Sequence, residues 1–276
     1  MISNLLWQQL QARLESMTDD FKGVAGVHVE DLISGVSLSI NGNELFPTAS
    51  TIKIHILTQL MSKVEQGSLN LEERICVTSS MKTPGSGVIY YMQDDVELSL
   101  LNLAILMIIV SDNTATNLCI DLAGLEETNQ LSRSLGLRAT TLRRKMSDRR
   151  SIEENNENVA TPEECSAMLK ALYSGRPSKW VAEQTLTILE KPKNGMLNQA
   201  LPGVRVVNKP GGMEFVRCDA GIVYLPRRPY VVSIMTKWSM LSSRATDGFI
   251  IEIARLIHET LATMDAANDY GLGIPR

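Results

Sequence analysis

Phe46-Pro47-Thr48-Ala49-Ser50-Thr51-Ile52-Lys53-Ile54 is where a small, polar run gives way to an apolar helical pattern. Beyond it Ile52, Ile56, Leu57, Leu60 and Met61 recur at the spacing of one helix face. Ser50 therefore falls at or near a helix N-terminus, with Lys53 on the same face. A hydroxyl and an amine so placed come within hydrogen-bonding reach. An amine whose pKa is lowered by burial or by a nearby cation can accept the hydroxyl proton. The positive end of the helix dipole favours the negative charge that then develops. Taken alone the pair carries little weight, because serine is a common helix cap and the lysine after it is ordinarily solvated.

On the N-terminal side, Leu5, Leu6, Leu10, Leu14 and Met17 predict an amphipathic first helix. Val24–Asp31 and Val36–Ile40 read as two strands of an antiparallel hairpin, with Asn41-Gly42-Asn43 turning the chain afterwards. On the C-terminal side the Ser50 helix ends near Gly67. From about Leu69 to Gly195 the pattern is helical and loop-like, with helices expected at Leu98–Val110, Thr114–Ala123, Leu125–Leu135 and Pro162–Leu172. Arg143–Asn158 is polar, dense in charge and aperiodic, and reads as a long surface loop of the kind that often carries function. Strand patterns return at Val204–Lys209, Cys218–Leu225 and Tyr230–Thr236. A last helix is expected over Thr246–Met264 and a loose tail over Tyr270–Arg276.

This order predicts an α+β fold: a five-stranded antiparallel sheet flanked by the terminal helices, with an all-helical lobe inserted. One catalytic-type domain of two lobes follows, an α/β lobe from 1–68 plus 196–276 and a helical lobe from 69–195. A cleft between lobes is a common place for a site.

The 276 residues carry a formal net charge of -4, with 44% hydrophobic and 21% charged side chains. That is the composition of an ordinary globular chain, and without a long basic tract it disfavours a nucleic-acid binder. Cys76, Cys119, Cys165 and Cys218 are scattered without a Cys-x-x-Cys pair, so neither a disulfide framework nor a zinc site is suggested. His28, His55 and His258 lack a motif context and read as surface or satisfied core histidines. The first residues, Met1 to Gln8, lack a basic region followed by an apolar one, so the chain as written reads as cytoplasmic, or as periplasmic or secreted if a signal has been removed. Leu98–Val110 is too short to span a bilayer.

Two later stretches change the weight of Ser50 and Lys53. Ser111-Asp112-Asn113 follows the apolar helix. All three residue types are good helix caps, which is the ordinary reading of the triplet alone; in the functional reading the Ser111 hydroxyl relays a proton to a leaving group and Asn113 bonds a substrate amide. Lys209-Pro210-Gly211-Gly212 ends a strand pattern, with a lysine able to attract a carboxylate and two glycines that let a ligand approach the backbone closely.

Ser50-x-x-Lys53, Ser111-Asp112-Asn113 and Lys209-Pro210-Gly211, in that order and at these intervals, resemble the motif set of class A β-lactamases and penicillin-binding proteins. Asp219-Ala220-Gly221-Ile222-Val223 and the helix opening Thr161-Pro162-Glu163-Glu164 add to the resemblance, which covers nearly the whole chain. It implies a serine hydrolase that works through an acyl-enzyme, with a β-lactam as substrate, no metal and no organic cofactor. An esterase, a D-alanyl peptidase or penicillin-binding protein with slow deacylation, or a non-turnover sensor are the alternatives. By the same resemblance Ser50 is the nucleophile, Lys53 the base or part of its relay, and Ser111 the proton shuttle to the leaving nitrogen. Asn113 is the amide contact and Lys209 the carboxylate contact. Gly211 and Gly212 line the substrate, and the N–H groups of Ser50 and Gly212 form the oxyanion hole.

The chain departs from that family at two points. Pro210 stands where a Ser or Thr hydroxyl is usual. The loop glutamate that activates the deacylating water has no clear counterpart: counting back without gaps from Thr161-Pro162 puts Lys145 there, and Asp148, Glu153, Glu154 and Glu157 are candidates by residue type only.

Overall fold

The computed structural model describes residues 4–268 and 270–274. In chain order the elements are α1 (Asn4–Asp19), β1 (Val24–Asp31), β2 (Ser37–Ile40), α2 (Lys53–Glu65), β3 (Arg74–Val77), β4 (Val96–Ser99), α3 (Leu100–Ile109), α4 (Asn113–Ala123) and α5 (Leu125–Ser134). After these come α6 (Arg149–Glu153), α7 (Pro162–Tyr173), α8 (Lys179–Leu189), α9 (Met196–Ala200), β5 (Val206–Met213), β6 (Val216–Val223), β7 (Tyr230–Lys237) and α10 (Ser243–Ala266). No helix among the described residues is long and apolar enough to cross a membrane.

The chain groups into two compact units. The first holds the residues up to Ala49, Thr161–Lys170 and those from Asn194 on. Its centre is a five-stranded sheet in the order β2-β1-β7-β6-β5, with every neighbouring pair antiparallel. Side chains alternate across a strand, so Val27 and Val29 of β1, Val232 and Ile234 of β7 and Leu38 of β2 point to one face. There they meet Leu10 and Leu14 of α1 and Ile250, Ile253, Ile257 and Leu261 of α10. Each such side chain withdrawn from water contributes about 1.5–3 kcal/mol. Gly26 sits on the opposite face, where an added Cβ would lie 2.8 Å from both the Phe46 ring and Pro162. The tail is tighter than its composition suggests. Asn268 Oδ1 accepts the N–H groups of Tyr270 and Leu272 and the Ile274 N–H reaches the Ala266 carbonyl, while Pro275 and Arg276 lie outside the described residues.

The second unit holds Ser50–Ala160 and Ala171–Lys193. Its axis is α2, buried from Lys53 to Ser62, with α3, α4, α5 and α8 packed around it. A helix hydrophobic on one side and buried on all sides must pair its polar groups locally. Thr58 donates to the Ile54 carbonyl at 2.8 Å, Ser62 to the Thr58 carbonyl at 3.0 Å, and His55 Nδ1 meets Ser132 Oγ at 2.9 Å. Because α2 packs on α4, α5 and α8, the division between units falls at Ala49/Ser50, where the sequence reading puts residues up to 68 with the sheet.

The expected helix from Leu98 begins at Leu100. Val96–Ser99 instead pairs antiparallel with Arg74–Val77, giving this unit a small hairpin beside its helices, and Ser99 turns the chain into α3 by accepting the Asn102 N–H at 3.2 Å. The loop Arg143–Asn158 contains the short helix α6, capped by Asp148, which accepts the Ser151 N–H at 3.1 Å. Lys209-Pro210-Gly211-Gly212 does not end its strand but occupies the middle of β5, in register with Ala220 to Arg217. Proline is tolerated there because β5 is the edge of the sheet and one row of its N–H groups has no ladder to serve.

Candidate active site

Ser50 lies in a 3₁₀ turn, Ala49–Ile52, that leads directly into α2. Ala49, just before it, has φ 46°. A non-glycine residue in the left-handed region costs about 1–2 kcal/mol, and such strain gathers at functional turns. One turn on, Lys53 is completely buried. Its Nζ donates to the Ser111 carbonyl at 2.8 Å and to Ser111 Oγ at 2.9 Å. Ser111 Oγ in turn meets Ser50 Oγ at 2.7 Å. The sequence pairs Ser50 with Lys53 directly. The three-dimensional link runs through Ser111, because Ser50 belongs to the 3₁₀ turn and not to the first turn of α2. Ser111 itself has φ 56°, a second strained residue, and it is hydrogen-bonded to Ser50, the neighbour of the first. Each hydroxyl is donor and acceptor at once, so Ser50, Ser111 and Lys53 form a continuous path for a proton. The Cys119 thiol is no competitor as nucleophile: burial pushes it up to about 12, although the Lys53 charge pulls the other way.

Asp112 holds this path in place. It is the N-cap of α4, accepting the Ala115 N–H on Oδ1 at 3.0 Å. Its Oδ2 accepts the N–H groups of Val88 at 2.7 Å and Ile89 at 2.9 Å. One buried carboxylate thus ties the loop before β4 to the start of α4. The loop needs its glycines: a Cβ at Gly87 would lie 2.2 Å from Asp112 Oδ2, and one at Gly85 2.6 Å from Asn113 Nδ2, both at φ near 108° (108° and 107°). Asn113 donates through Nδ2 to the Pro84 carbonyl at 2.9 Å and to Ser147 Oγ at 3.3 Å, and through its backbone to Ser86 at 2.9 Å. None of Pro84, Gly85, Gly87 or Ser147 stands out in the sequence. The Thr-Pro-Gly-Ser-Gly run of residues 83–87 was the signal available.

The charged loop is closed at its base by Asn158, whose Oδ1 accepts the N–H groups of Arg143 at 2.7 Å and Arg144 at 3.0 Å and whose Nδ2 donates to the Arg144 carbonyl at 3.1 Å. Three of the four carboxylates proposed by residue type are held by partners of their own. Asp148 takes the Ser151 N–H and hydroxyl, and these hold its carboxyl below the usual range. Glu154 pairs with Arg150 and Glu157 with Arg144. Glu153 is exposed. Lys145, at the counted glutamate position, pairs with Asp121 at 2.6 Å.

Lys209, Gly211 and Gly212 belong to the first unit, on β5. Lys209 is buried and its Nζ donates to the Pro210 carbonyl at 2.8 Å. The preceding Asn208 is fixed by Asp219 on β6, donating to Oδ1 at 2.9 Å and Oδ2 at 3.1 Å, while Asp219 Oδ2 also accepts the Leu197 N–H at 2.9 Å. Gly212 lies opposite Arg217, and an added Cβ would come 2.9 Å from its guanidinium. That guanidinium is held by Asp247 at 2.9 Å and by the carbonyls of Met213 and Val216. Arg217 and Asp247, which brace the turn after Gly212, are invisible to motif reading because each is an isolated charge in the sequence.

A family model described as "Beta-lactamase enzyme family" matches residues 6–261. Beta-lactamase ROB-1 of Haemophilus influenzae is 26% identical over 269 residues, which cover 91% of this chain and 84% of that protein. A beta-lactamase from Sphaerobacter thermophilus is similar in structure with a TM-score of 0.85 and 33% identity, covering 92% of this chain and 97% of the other. A mutant of PBP-A, described as its acyl-enzyme complex with penicillin-G, is similar with a TM-score of 0.82 and 28% identity over 95% of this chain and 97% of the other.

Proposed function

Since the chain belongs to the beta-lactamase enzyme family, we propose that it is a serine hydrolase acylated on Ser50 by the amide of a β-lactam. The observation that carries this reading is the bonded series Ser50, Ser111 and buried Lys53. Ser50 Oγ adds to the lactam carbonyl carbon as its proton passes to Ser111 Oγ, and the Ser111 proton passes to Lys53, whose amine serves as the base once it has given up its own proton and both hydrogen bonds of the series run in the reverse sense. When the tetrahedral centre collapses, the C–N bond breaks and its electron pair goes to nitrogen. The proton returns from Lys53 through Ser111 to that nitrogen. Water then adds to the ester carbonyl, the C–O bond to Ser50 breaks and Oγ recovers a proton. In this reading the N–H groups of Ser50 and Gly212 receive the oxyanion, Lys209 takes the substrate carboxylate, and Asn113 meets the side-chain amide. Gly211 lines the same strand.

A second reading, a penicillin-binding protein that keeps its acyl group, is favoured by one set of observations. The loop carboxylates Asp148, Glu154 and Glu157 are engaged by Ser151, Arg150 and Arg144, and Lys145 by Asp121. A water-activating base is then slow or absent, and deacylation limits turnover.

Intact mass followed over time with benzylpenicillin and with a chromogenic cephalosporin tests both. A transient adduct on Ser50 with steady product is expected of the hydrolase. A persistent one selects the second reading, and a chain that gains no mass from either compound refutes both.

A further inference from the structure

Within the first unit, α7 lies along β1 on the sheet face that Gly26 marks. Its start is fixed by Pro162, 2.8 Å from where a Cβ on Gly26 would be, and a later turn by Lys170, which pairs with Glu30. Eight helical residues cover about 12 Å and four strand residues about 13 Å, so helix and strand run in step. Ser166, midway between Pro162 and Lys170, falls beside His28, midway between Gly26 and Glu30. In the β1–β7 ladder His28 is opposite Ser233 and Gly26 opposite Met235. Met235 is therefore the diagonal neighbour of His28, within reach of a long side chain. Cys165, next to Ser166 on the helix, joins the group, with its Sγ 3.9 Å from Met235 Sδ.

His28, Cys165, Ser166, Ser233 and Met235 are all buried. Three of their polar atoms, His28 Nδ1, Ser166 Oγ and Ser233 Oγ, have no hydrogen-bond partner. An unpaired buried polar atom is costly, and three on one face mark a place for a ligand. Two hydroxyls and an imidazole alone would suit a bridging water. The sulfur pair beside them narrows the choice, because thiolate and thioether select soft metals such as Cu(I). A trigonal centre with metal–sulfur bonds of about 2.3 Å holds its sulfurs about 4 Å apart, the separation that Cys165 and Met235 already have. Burial keeps the His28 ring below its ordinary pKa, and a neutral imidazole is a metal ligand. Charge agrees: one thiolate, Cu(I), a thioether and a neutral imidazole sum to zero, so no net charge is buried. Harder ions are not served, since no three His, Cys, Asp or Glu side chains among the described residues come together to hold one.

We propose that His28 Nδ1, Cys165 Sγ and Met235 Sδ form a Cu(I) site between α7 and the sheet. On binding, the Cys165 S–H bond breaks, its proton goes to water and the sulfur electron pair binds the metal, which stays monovalent throughout. Cys218, opposite Met235 on β6, remains a thiol: burial pushes it up, and its Sγ donates to the Pro47 carbonyl at 3.5 Å. The site is independent of the acyl-enzyme reading and clamps α7 to the sheet.

Cys76 is exposed and would take copper adventitiously, so the test uses the Cys76→Ser chain. Cu(I), kept reduced by ascorbate without oxygen, is titrated against the chromogenic chelator bathocuproine disulfonate. One Cu(I) per chain is expected to be retained, with a rise in Tm, and X-ray absorption at the copper edge is expected to show one nitrogen and two sulfur ligands. Met235→Leu, which conserves volume and keeps the core packed, and His28→Asn are each expected to weaken binding at least about tenfold. Cys165→Ala is expected to abolish it. Should the cysteine variant fail to fold, Met235→Leu still decides. A chain that retains no copper overturns the proposal and leaves a hydration site only. Binding unmoved by Met235→Leu or by His28→Asn overturns it too, as does a copper spectrum without nitrogen.

Discussion

Lys53 Nζ holds Ser111 at two points, its carbonyl at 2.8 Å and its hydroxyl at 2.9 Å. The first bond fixes where the strained residue sits; the second is available to move a proton. Replacing Ser111 by glycine separates the two. Glycine accepts φ 56° without penalty and keeps the carbonyl, but it cuts the path from Ser50 to Lys53. Acylation of Ser50 by benzylpenicillin, followed by intact mass, is expected to slow about a hundredfold or more with little change in Tm. Ser111→Ala is expected to slow it equally and to lower Tm as well. Unchanged acylation in Ser111→Gly would remove Ser111 from the relay.

Asp112 is a structural residue although it sits inside the motif. Its two oxygens take three backbone N–H groups, from Ala115, Val88 and Ile89. Asp112→Asn turns an amide toward donors that need an acceptor. A loss of about 2–4 kcal/mol is expected, read as a fall in Tm of roughly 5–15 °C. Gly87→Ala should have a comparable effect from the other side, because its Cβ would lie 2.2 Å from Asp112 Oδ2. Thermal unfolding of both variants checks this, and a Tm within a degree of the parent in either removes Asp112 from that part.

The sheet and the nucleophile turn were legible because their signals are local. Val27 and Val29 alternate with Gly26 and His28 at the period of a strand, and Ile56, Leu57, Leu60 and Met61 mark α2. What escaped was tertiary. Val96–Ser99 is a strand only because Arg74–Val77 lies beside it. Pro210 argues against a strand interior unless the strand is known to be an edge. Lys145, Met146 and Ser147 read as solvated loop until the stripe Asn113, Asn117 and Asp121 is seen to face them. Counting along the loop could place Lys145 but not tell that Asp121 was its partner.

Asn158 closes that loop by meeting three backbone groups of Arg143 and Arg144. It is buried, so Asn158→Ala leaves those groups unpaired and away from water. The expected cost is about 2–3 kcal/mol, together with faster cleavage by trypsin at Arg143, Arg144, Arg149 and Arg150. Limited proteolysis followed by mass mapping distinguishes local opening from global unfolding. Cleavage elsewhere first, with the loop intact, would show that Asn158 does not close it.

Stability should fall on mild acidification. Burial lowers the pKa of His28 against the opposing pull of Glu163 and Glu30, with Lys170 adding to the depression. His28 Nδ1 is buried without a hydrogen-bond partner. Burial also lowers that of His258, although Glu259 opposes it; its Nδ1 lies 3.2 Å from Tyr230 Oη. In both cases the folded chain binds its proton at lower pH than the unfolded chain does. The stability is therefore fully present above the ordinary histidine pKa, about 6.5, and is lost as pH falls through the folded values. The slope is bounded at about 1.4 kcal/mol per pH unit for each histidine. Asp31 acts in a separate, lower window. Burial works to raise its carboxyl, but the N–H groups of Ile33 and Ser34 and the Arg228 guanidinium outweigh it, so its contribution is lost only below about pH 4. Urea unfolding from pH 8 to pH 5 is expected to show the decline, and the His28→Asn, His258→Asn chain to show a flatter one. An equal slope in that double variant would assign the acid sensitivity to other groups.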